Sequence, residues 1–175
     1  MQKNDLSAQI ENAKNNFILG LAGASLLTNP NSVPLLQQAS CSFGGMSVNF
    51  GQVATMMQNA VDRNIAIKEY IMSHFRAAIK ETFELIKSYC TITNQSEKFK
   101  SANNYHIWRL VRNSISHDAR WEFNNNDLQR LPLSWNGVKL DASLQGKHFE
   151  INLFGYEGLY ALRAEMDDFA ATALA

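Results

Sequence analysis

The sequence contains almost no cysteine and carries no net charge. Cys41 and Cys90 are its only cysteines and lie far apart, which argues against a disulfide framework and against a zinc site of CxxC type and favours reduced thiols. The 16 Lys and Arg residues are matched by 16 Asp and Glu residues. Overall charge therefore does not indicate non-specific nucleic-acid binding, and any anion site must come from local clustering.

Long apolar runs and metal or phosphate-loop motifs are also missing. The apolar run FILGLAGASLL at 17–27 is much shorter than the roughly 20 residues that span a membrane, and Asp5 and Glu11 precede it, unlike in a secretory signal. The four histidines show no HExxH spacing, and SFGGMSVNFGQ is not followed by GK[ST]. We therefore predict a cytoplasmic protein with no membrane segment, metal or cofactor.

The hydrophobic pattern predicts a mainly α protein. The chain has 175 residues, 46% of them apolar, which fits a single domain over 1–175 with a buried core. Helical apolar spacing divides this domain into four parts. Residues 1–50 hold an amino-terminal helix (5–28) and an irregular connector, and core helices lie within 53–130. A β insert (131–155) and a carboxyl-terminal helix (156–175) follow. Within the core region, 53–92 forms one long helix or two abutting helices, and 97–120 forms the next.

The β insert is predicted from its turn and its alternation. Asn136-Gly137 is a strong signal for a two-residue turn. KHFEINLF at 147–154 alternates apolar and polar residues, as a half-buried strand does. We expect a small antiparallel hairpin or a three-stranded meander here. Trp121 and Trp135, which flank the start of the insert, are interpreted as core residues.

The stretch RLVRNSISHDAR at 109–120 places basic residues on one side of the helix predicted over 97–120. At about 100° per residue, the large apolar residues from Ile107 to Ile115 fall in one arc. The opposite arc holds three arginines, one asparagine, one serine and one histidine, whereas the nearest carboxylate, Asp118, falls among the apolar positions. The polar residues are Arg109, Arg112, Asn113, Ser116, His117 and Arg120.

This polar arc suggests phosphate chemistry, because a guanidinium matches phosphate oxygens and an imidazole exchanges protons near neutral pH. Metal-free RNA cleavage needs a base for the 2′-hydroxyl and a cation for the phosphorus oxygens. The spacing alone is equally typical of an ordinary helix surface, or of a face that packs on a second helix or a second subunit. His74 is interpreted as a packing or surface residue, with a contribution to the site as the alternative. His106 is interpreted as a packing residue, with base stacking as the alternative, and His148 as an exposed strand residue.

The stretch Arg112-Asn113-Ser114-Ile115-Ser116-His117 resembles the R-x4–6-H signature of the HEPN superfamily (higher eukaryotes and prokaryotes nucleotide-binding), in which Asn, Asp or His commonly follows the arginine. The resemblance implies an antiparallel bundle of four to five helices, here with a β-hairpin insert before the last helix. The resemblance in sequence is confined to the motif at 112–117, and the predicted order of helices resembles the family over residues 53–175. The amino-terminal 50 residues match no part of the family pattern.

The resemblance also implies roles for individual residues. Arg112 binds or polarises the scissile phosphate, His117 acts as general base or acid, and Asn113 orients the histidine or the phosphate. Glu84 and Glu81 are the candidates for the acidic residue that a preceding helix often adds in the family. Arg109, Ser116 and Arg120 are the candidate phosphate contacts.

The function expected from this resemblance is metal-independent cleavage of RNA by a homodimer whose two motifs face one cleft. Small bacterial HEPN proteins of toxin–antitoxin and abortive-infection systems are the nearest parallel, so an antitoxin protein is an expected partner. The alternative is a non-catalytic HEPN module that binds a nucleotide, RNA or a partner protein. A third interpretation is a helical interaction protein in which RNSISH is coincidental.

Overall fold

The computed structural model describes residues 2–116 and 118–175, and it is mainly helical, as predicted. The described helices and strands follow in this order: α1 (Lys3–Thr28), α2 (Ser32–Gln38), β1 (Ser40–Phe43), β2 (Met46–Asn49), α3 (Gly51–Gln58), α4 (Ala60–Ile92), α5 (Ser96–Lys100), α6 (Tyr105–Ser116), α7 (Asn125–Leu128), β3 (Leu133–Trp135), β4 (Val138–Leu140) and α8 (Gly155–Thr172). Short 3₁₀ helices lie at Ala142–Leu144 and Ile151–Leu153. None of the described helices is both long enough and apolar enough to cross a bilayer.

The chain forms two compact units. The larger unit comprises Met1–Lys14 and Phe75–Ala175, and the smaller unit comprises Asn15–His74. The larger unit holds most of the core, in which apolar faces of α4, α6 and α8 are buried. Its aromatic side chains form two clusters, one around Phe99 and one around Trp121. Trp121 and Trp135 are buried, which confirms their interpretation as core residues.

The long helical pattern over 53–92 forms two abutting helices, α3 and α4. The backbone leaves helical geometry at Asn59, whose φ is −82° and ψ is 118°. The Asn59 side-chain oxygen accepts hydrogen bonds from the backbone N–H groups of Val61 at 2.9 Å and Asp62 at 3.3 Å. Asn59 therefore caps the first turn of α4, as asparagine often does at this position.

The single helix predicted over 97–120 is wrong. The chain forms the short helix α5, turns through 101–104, and begins α6 only at Tyr105. Helix α6 ends at Ser116, and Asp118 and Ala119 have positive φ angles of 46° and 50°. Left-handed residues cannot continue a right-handed helix, so Arg120 lies beyond α6, where it forms an isolated antiparallel bridge with His148.

The β insert is a two-stranded hairpin, one of the two forms expected. Strands β3 and β4 are antiparallel, with Trp135 opposite Val138. Asn136 and Gly137 join the strands with φ values of 44° and 80°, the left-handed pair that such a turn requires. The strand predicted over 147–154 is wrong. Within this segment only His148 makes a β-bridge, Ile151–Leu153 forms a 3₁₀ turn, and Phe149 and Phe154 on either side of that turn join the Trp121 cluster.

The smaller unit pairs the carboxyl-terminal part of α1 with the amino-terminal part of α4. A Cβ added at Gly20 would lie 2.4 Å from the His74 ring, and one at Gly23 would lie 2.9 Å from the Tyr70 hydroxyl. Tyr70 and His74 also make an edge-to-face contact with ring centroids 4.6 Å apart. His74 is thus a packing residue, as interpreted. Within the segment expected to be an irregular connector, the chain forms α2 and a second antiparallel hairpin, β1–β2.

Candidate functional site

Helix α6 carries the described part of the motif, and its apolar stripe lies where the helical spacing predicts. The buried residues of α6 are Ile107, Trp108, Leu110, Val111, Ser114 and Ile115. Arg109, Arg112 and Asn113 on the other arc are half-buried. Burial of a continuous apolar stripe fixes the rotation of a helix about its axis, so it also fixes the side toward which Arg112 extends.

Glu165 on α8 ties α6 to its surroundings. Its carboxylate accepts hydrogen bonds from Trp108 Nε1 at 3.0 Å, from Trp135 Nε1 at 3.0 Å and from Asn104 Nδ2 at 3.1 Å. These donors come from α6, from strand β3 and from the turn before α6. A carboxylate that accepts several hydrogen bonds holds its donors firmly. Glu165 therefore positions the motif helix, and the sequence pattern did not indicate this.

Arg112 is held by three neighbours. Its Nη2 forms an ion pair with Glu84 of α4, and its Nη1 donates a hydrogen bond to Asn113 Oδ1 at 2.9 Å. Its Cζ lies 5.9 Å from the centroid of the Phe83 ring, within the range of a cation–π contact. The Arg112 side chain remains 20% exposed and that of Glu84 37%. The guanidinium is therefore oriented, its Nε is buried without a hydrogen-bond partner among the described residues, and part of the side chain remains exposed.

The two acidic candidates on α4 differ in position. Glu84 meets Arg112, whereas Glu81 is exposed and makes no hydrogen bond or ion pair with the described residues. Glu84 also borders a pocket of about 290 Å³ along α4, which is lined in addition by Lys87, Ser88, Thr91 and Ile92. Of the two, only Glu84 shares a site with the described motif residues.

Arg109 is paired with a buried carboxylate. Its Nη2 donates to Asp127 Oδ1. Asp127 is also part of a capping box at α7, since its Oδ2 accepts from Asn124 N at 3.1 Å and its own N–H donates to Asn124 Oδ1 at 3.0 Å. Capping boxes satisfy the first backbone donors of a helix. The Arg109–Asp127 pair thus connects α6 to the start of α7.

These two ion pairs overturn the expectation that the polar side of the motif helix is free of acids. The sequence of the helix contains no acid on that side, but Glu84 and Asp127 reach it from other elements. Asp127 had no role in the sequence interpretation. Its local signal is the spacing Asn124-x-x-Asp127, which is typical of a helix start.

Ser116 and Arg120, the other candidate phosphate contacts, are engaged by backbone carbonyls. Ser116 Oγ donates to Arg112 O at 2.7 Å, and Arg120 Nη1 donates to Gly146 O at 2.8 Å. Arg120 is exposed. His117, the predicted general base or acid, lies outside the described residues, so the structure brings together Arg112, Asn113 and Glu84 of the predicted site.

His106 lies one turn before Arg109 on α6. Its Nε2 is 2.9 Å from Arg130 Nη1. Burial, together with the positive charges of Arg130 and Arg109, lowers the pKa of His106. This favours neutral imidazole. Its ring meets that of Tyr105 edge-on, with centroids 5.3 Å apart, and Tyr105 packs against Phe99. This arrangement agrees with the packing interpretation of His106.

No group of three or more His, Cys, Asp or Glu side chains within 2–116 and 118–175 could hold a metal ion. Comparisons of the chain with models of protein families, with curated proteins and with solved structures found no match.

Proposed function

We propose that this protein is a metal-independent endoribonuclease of HEPN type. The observation that carries the proposal is the setting of Arg112, the first residue of RNSISH. It is held by Glu84 and Asn113 while remaining partly exposed. Fixed charge aimed at a reacting group is the main source of electrostatic catalysis, because it need not reorganise during the reaction. The resemblance of residues 112–117 to the HEPN signature supports the same assignment.

In the proposed reaction, His117 removes the proton of a ribose 2′-hydroxyl. The 2′-oxygen then attacks the adjacent phosphorus, a 2′,3′-cyclic phosphate forms, and the bond to the 5′-oxygen breaks as that oxygen takes up a proton. Arg112 donates hydrogen bonds to the non-bridging oxygens, where negative charge grows. General acid–base catalysis contributes about 10²–10⁴-fold to such a step.

Glu84 and Asn113 act as positioning residues in this proposal. Asn113 accepts a hydrogen bond from Nη1 of Arg112, and Glu84 forms an ion pair with Nη2. A guanidinium has further N–H donors for a phosphate. The Glu84 side chain is 37% exposed, but its Oε1, which meets Arg112 Nη2, is buried. Breaking a buried contact is costly, so in this proposal the phosphodiester binds remaining N–H groups of Arg112 while the ion pair stays in place.

The proposed active form is a homodimer in which two motifs face one RNA-binding cleft. Ser116, within the motif, and Arg120, just after it, add to the proposed phosphate contacts, whereas Arg109 is occupied by Asp127. We further propose that the protein acts in growth control or phage defence in a bacterial cytoplasm, with an antitoxin protein as its inhibitor. These assignments rest on the HEPN resemblance.

RNA cleavage in the presence of EDTA tests the proposal. Wild-type protein is compared with Arg112→Ala and His117→Ala, and with His148→Ala and Arg130→Ala as matched controls outside the motif. We expect cleavage by wild type, a loss of about 10²-fold or more in both motif variants, and near wild-type rates in the controls. Equal rates in all five proteins would exclude the motif as the catalytic centre.

The alternative is a non-catalytic HEPN module that binds RNA, a nucleotide or a partner protein. The specific observation in its favour is that Arg109 and Arg112 both have carboxylate partners, which lowers the net positive charge that the face presents to a phosphate. Binding of RNA without cleavage, weakened by Arg112→Ala, would favour this alternative.

A further inference from the structure

A pocket of about 470 Å³ lies in the larger unit between α1 and α8, and its described lining residues all belong to these two helices. Lys3 holds the helices together beside it, because its Nζ donates hydrogen bonds to Ala170 O at 2.6 Å and to Leu174 O at 2.5 Å. Sites for small molecules usually have volumes of roughly 300–1,000 Å³. The pocket is therefore large enough for a small ligand.

Arg163, in the wall of this pocket, is a buried arginine with unmet hydrogen-bond donors. Its side chain is 2% exposed, and its Nη2 forms an ion pair with Asp167, one turn further along α8. Its Nε and Nη1 are buried and have no hydrogen-bond partner among the described residues. A buried donor without an acceptor destabilises the folded state, so an acceptor that enters the pocket would be bound favourably.

Asp167 has the opposite deficit. Its Oδ2 pairs with Arg163, but its Oδ1 is buried and has no hydrogen-bond partner among the described residues. Burial raises the pKa of Asp167, and the positive charge of Arg163 offsets this only in part. A raised pKa means that the charged carboxylate is less well stabilised here than in water. A further cationic donor would therefore stabilise it.

The ionisable groups around the pocket restrict the charge of a ligand. Three carboxylates and two basic groups line it, namely Glu11, Asp167, Asp168, Lys14 and Arg163. Lys14 already pairs with Glu11 at 3.1 Å. A ligand that is only an anion, such as phosphate, would meet an excess of carboxylates, and a ligand that is only a cation would leave the donors of Arg163 unmet. A ligand with one carboxylate and one ammonium group meets both requirements.

The other walls of the pocket are mostly apolar. Ile10 of α1 and Ala164 and Ala171 of α8 line it, together with Tyr160, whose ring centroid lies 5.9 Å from Cζ of Arg163. Ligand sites typically combine apolar walls with a few polar groups that fix the orientation of the ligand. The pocket therefore suits a molecule with a charged end and an apolar end.

We propose that this pocket binds a free α-amino acid with an apolar side chain. The carboxylate of the amino acid accepts hydrogen bonds from Arg163, and its ammonium group donates to Asp167. Hydrogen bonds between ionised groups are the strong ones, and each of these two supplies a partner that the fold leaves out. The side chain of the amino acid packs on the apolar walls. The proposal uses only α1 and α8 and does not depend on the proposed RNA cleavage.

Isothermal titration calorimetry of the wild-type protein tests the proposal. L-alanine, L-valine, L-leucine, L-methionine and L-phenylalanine are titrated in turn. The tightest of them is then compared with its decarboxylated amine and its deaminated acid, which for L-leucine are 3-methylbutylamine and 4-methylpentanoate. We expect at least one amino acid to bind, and both analogues to bind at least about tenfold more weakly, because each leaves one charged group of the pocket unpaired.

A conservative variant tests the role of the guanidinium. Arg163→Lys keeps a positive charge beside Asp167 but removes the Nε and Nη1 donors, so we expect it to weaken binding of the same amino acid at least about tenfold. Glu157→Gln is the matched control, because Glu157 is exposed on α8 and outside the described lining of the pocket. It is expected to bind as wild type does. Thermal unfolding followed by circular dichroism checks that both variants are folded.

Nuclear magnetic resonance locates the site without any substitution, so this measurement stands even if Arg163→Lys does not fold. The amino acid is expected to shift the backbone amide signals of residues 7–14 and 160–171 and to leave those of α6 unchanged.

Four results would overturn the proposal. The first is no binding of any of the five amino acids, which would leave buried water as the partner of these atoms. The second is equal affinity for the amino acid and either analogue. The third is unchanged affinity in folded Arg163→Lys, and the fourth is a set of shifted signals that excludes residues 7–14 and 160–171. Amino-acid binding in a protein that does not cleave RNA would contradict the proposed function and leave this site standing.

Discussion

Arg109 and Arg112 lie three residues apart on the same side of α6, yet they occur in different environments. Arg109 pairs with Asp127, whose side chain is 2% exposed and which caps α7. Arg112 pairs with Glu84, whose side chain is 37% exposed and which makes no capping contact. The two arginines thus share a helix face and each has a carboxylate partner, but the two partners differ in burial.

The difference lies in what happens when the carboxylate is exchanged for another anion. Removing a partner from a buried ion pair leaves an uncompensated charge and costs about 3–5 kcal/mol. A fully exposed pair contributes only about 0–1 kcal/mol, because water screens both charges, and the half-buried Arg112–Glu84 pair lies between these two limits. The two arginine side chains are about equally exposed, 23% for Arg109 and 20% for Arg112, so the difference lies in their partners. Asp127 is buried and fixed by the capping box, whereas Glu84 is partly exposed and has no such contact. We assign Arg109 mainly to stability and Arg112 to function.

The largest expected effect is on stability at Asp127. Asp127→Ala removes the partner of Arg109 and the capping box of α7, so we expect the free energy of unfolding to fall by about 3–5 kcal/mol. Chemical denaturation measures the change. Glu84→Ala is the matched control and is expected to lower stability by less, about 1–2 kcal/mol, because the Arg112–Glu84 pair is half-buried and Glu84 caps no helix. Similar losses in the two variants would remove the distinction between the two arginines.

A smaller effect is expected on activity at Glu84. Glu84→Gln keeps an acceptor for Arg112 but removes the charge that orients it, so we expect RNA cleavage to slow about tenfold, equivalent to roughly 1.4 kcal/mol. The stability should remain nearly unchanged. Glu81→Gln, one helical turn earlier on α4 and exposed, is the control and should cleave as wild type does. A Glu84→Gln protein that cleaves at the wild-type rate would show that Arg112 needs no orientation by this carboxylate.

Local signals predicted much of the fold. Asn136-Gly137 predicted the hairpin turn, because few other pairs adopt two consecutive left-handed conformations at low cost. The apolar spacing of 107–115 predicted the buried side of α6, because a helix with one apolar stripe has one way to face a core. The break between the helices predicted over 53–92 and 97–120 is present, and Asn94 within it has a φ of 58°.

Signals that depend on distant residues were missed. Helix α6 ends at Ser116 because Asp118 and Ala119 are left-handed, which neither residue type reveals by itself. The 147–154 segment alternates like a strand, but Phe149 and Phe154 instead pack on Trp121. Sequence spacing predicted which residues share the motif face, but it could not show that Asp127 would reach Arg109 or that Glu165 would hold Trp108 and Trp135. The family resemblance did propose Glu84, which lies beside Arg112.

The central claim is that Arg112 and His117 cleave RNA through the ribose 2′-hydroxyl without a metal. The most direct test compares one RNA oligonucleotide with its fully 2′-O-methylated form, both incubated with wild-type protein in EDTA. We predict cleavage of the unmodified strand only, with 2′,3′-cyclic phosphate ends on the products. No cleavage of either strand, or equal cleavage of both, would contradict the claim.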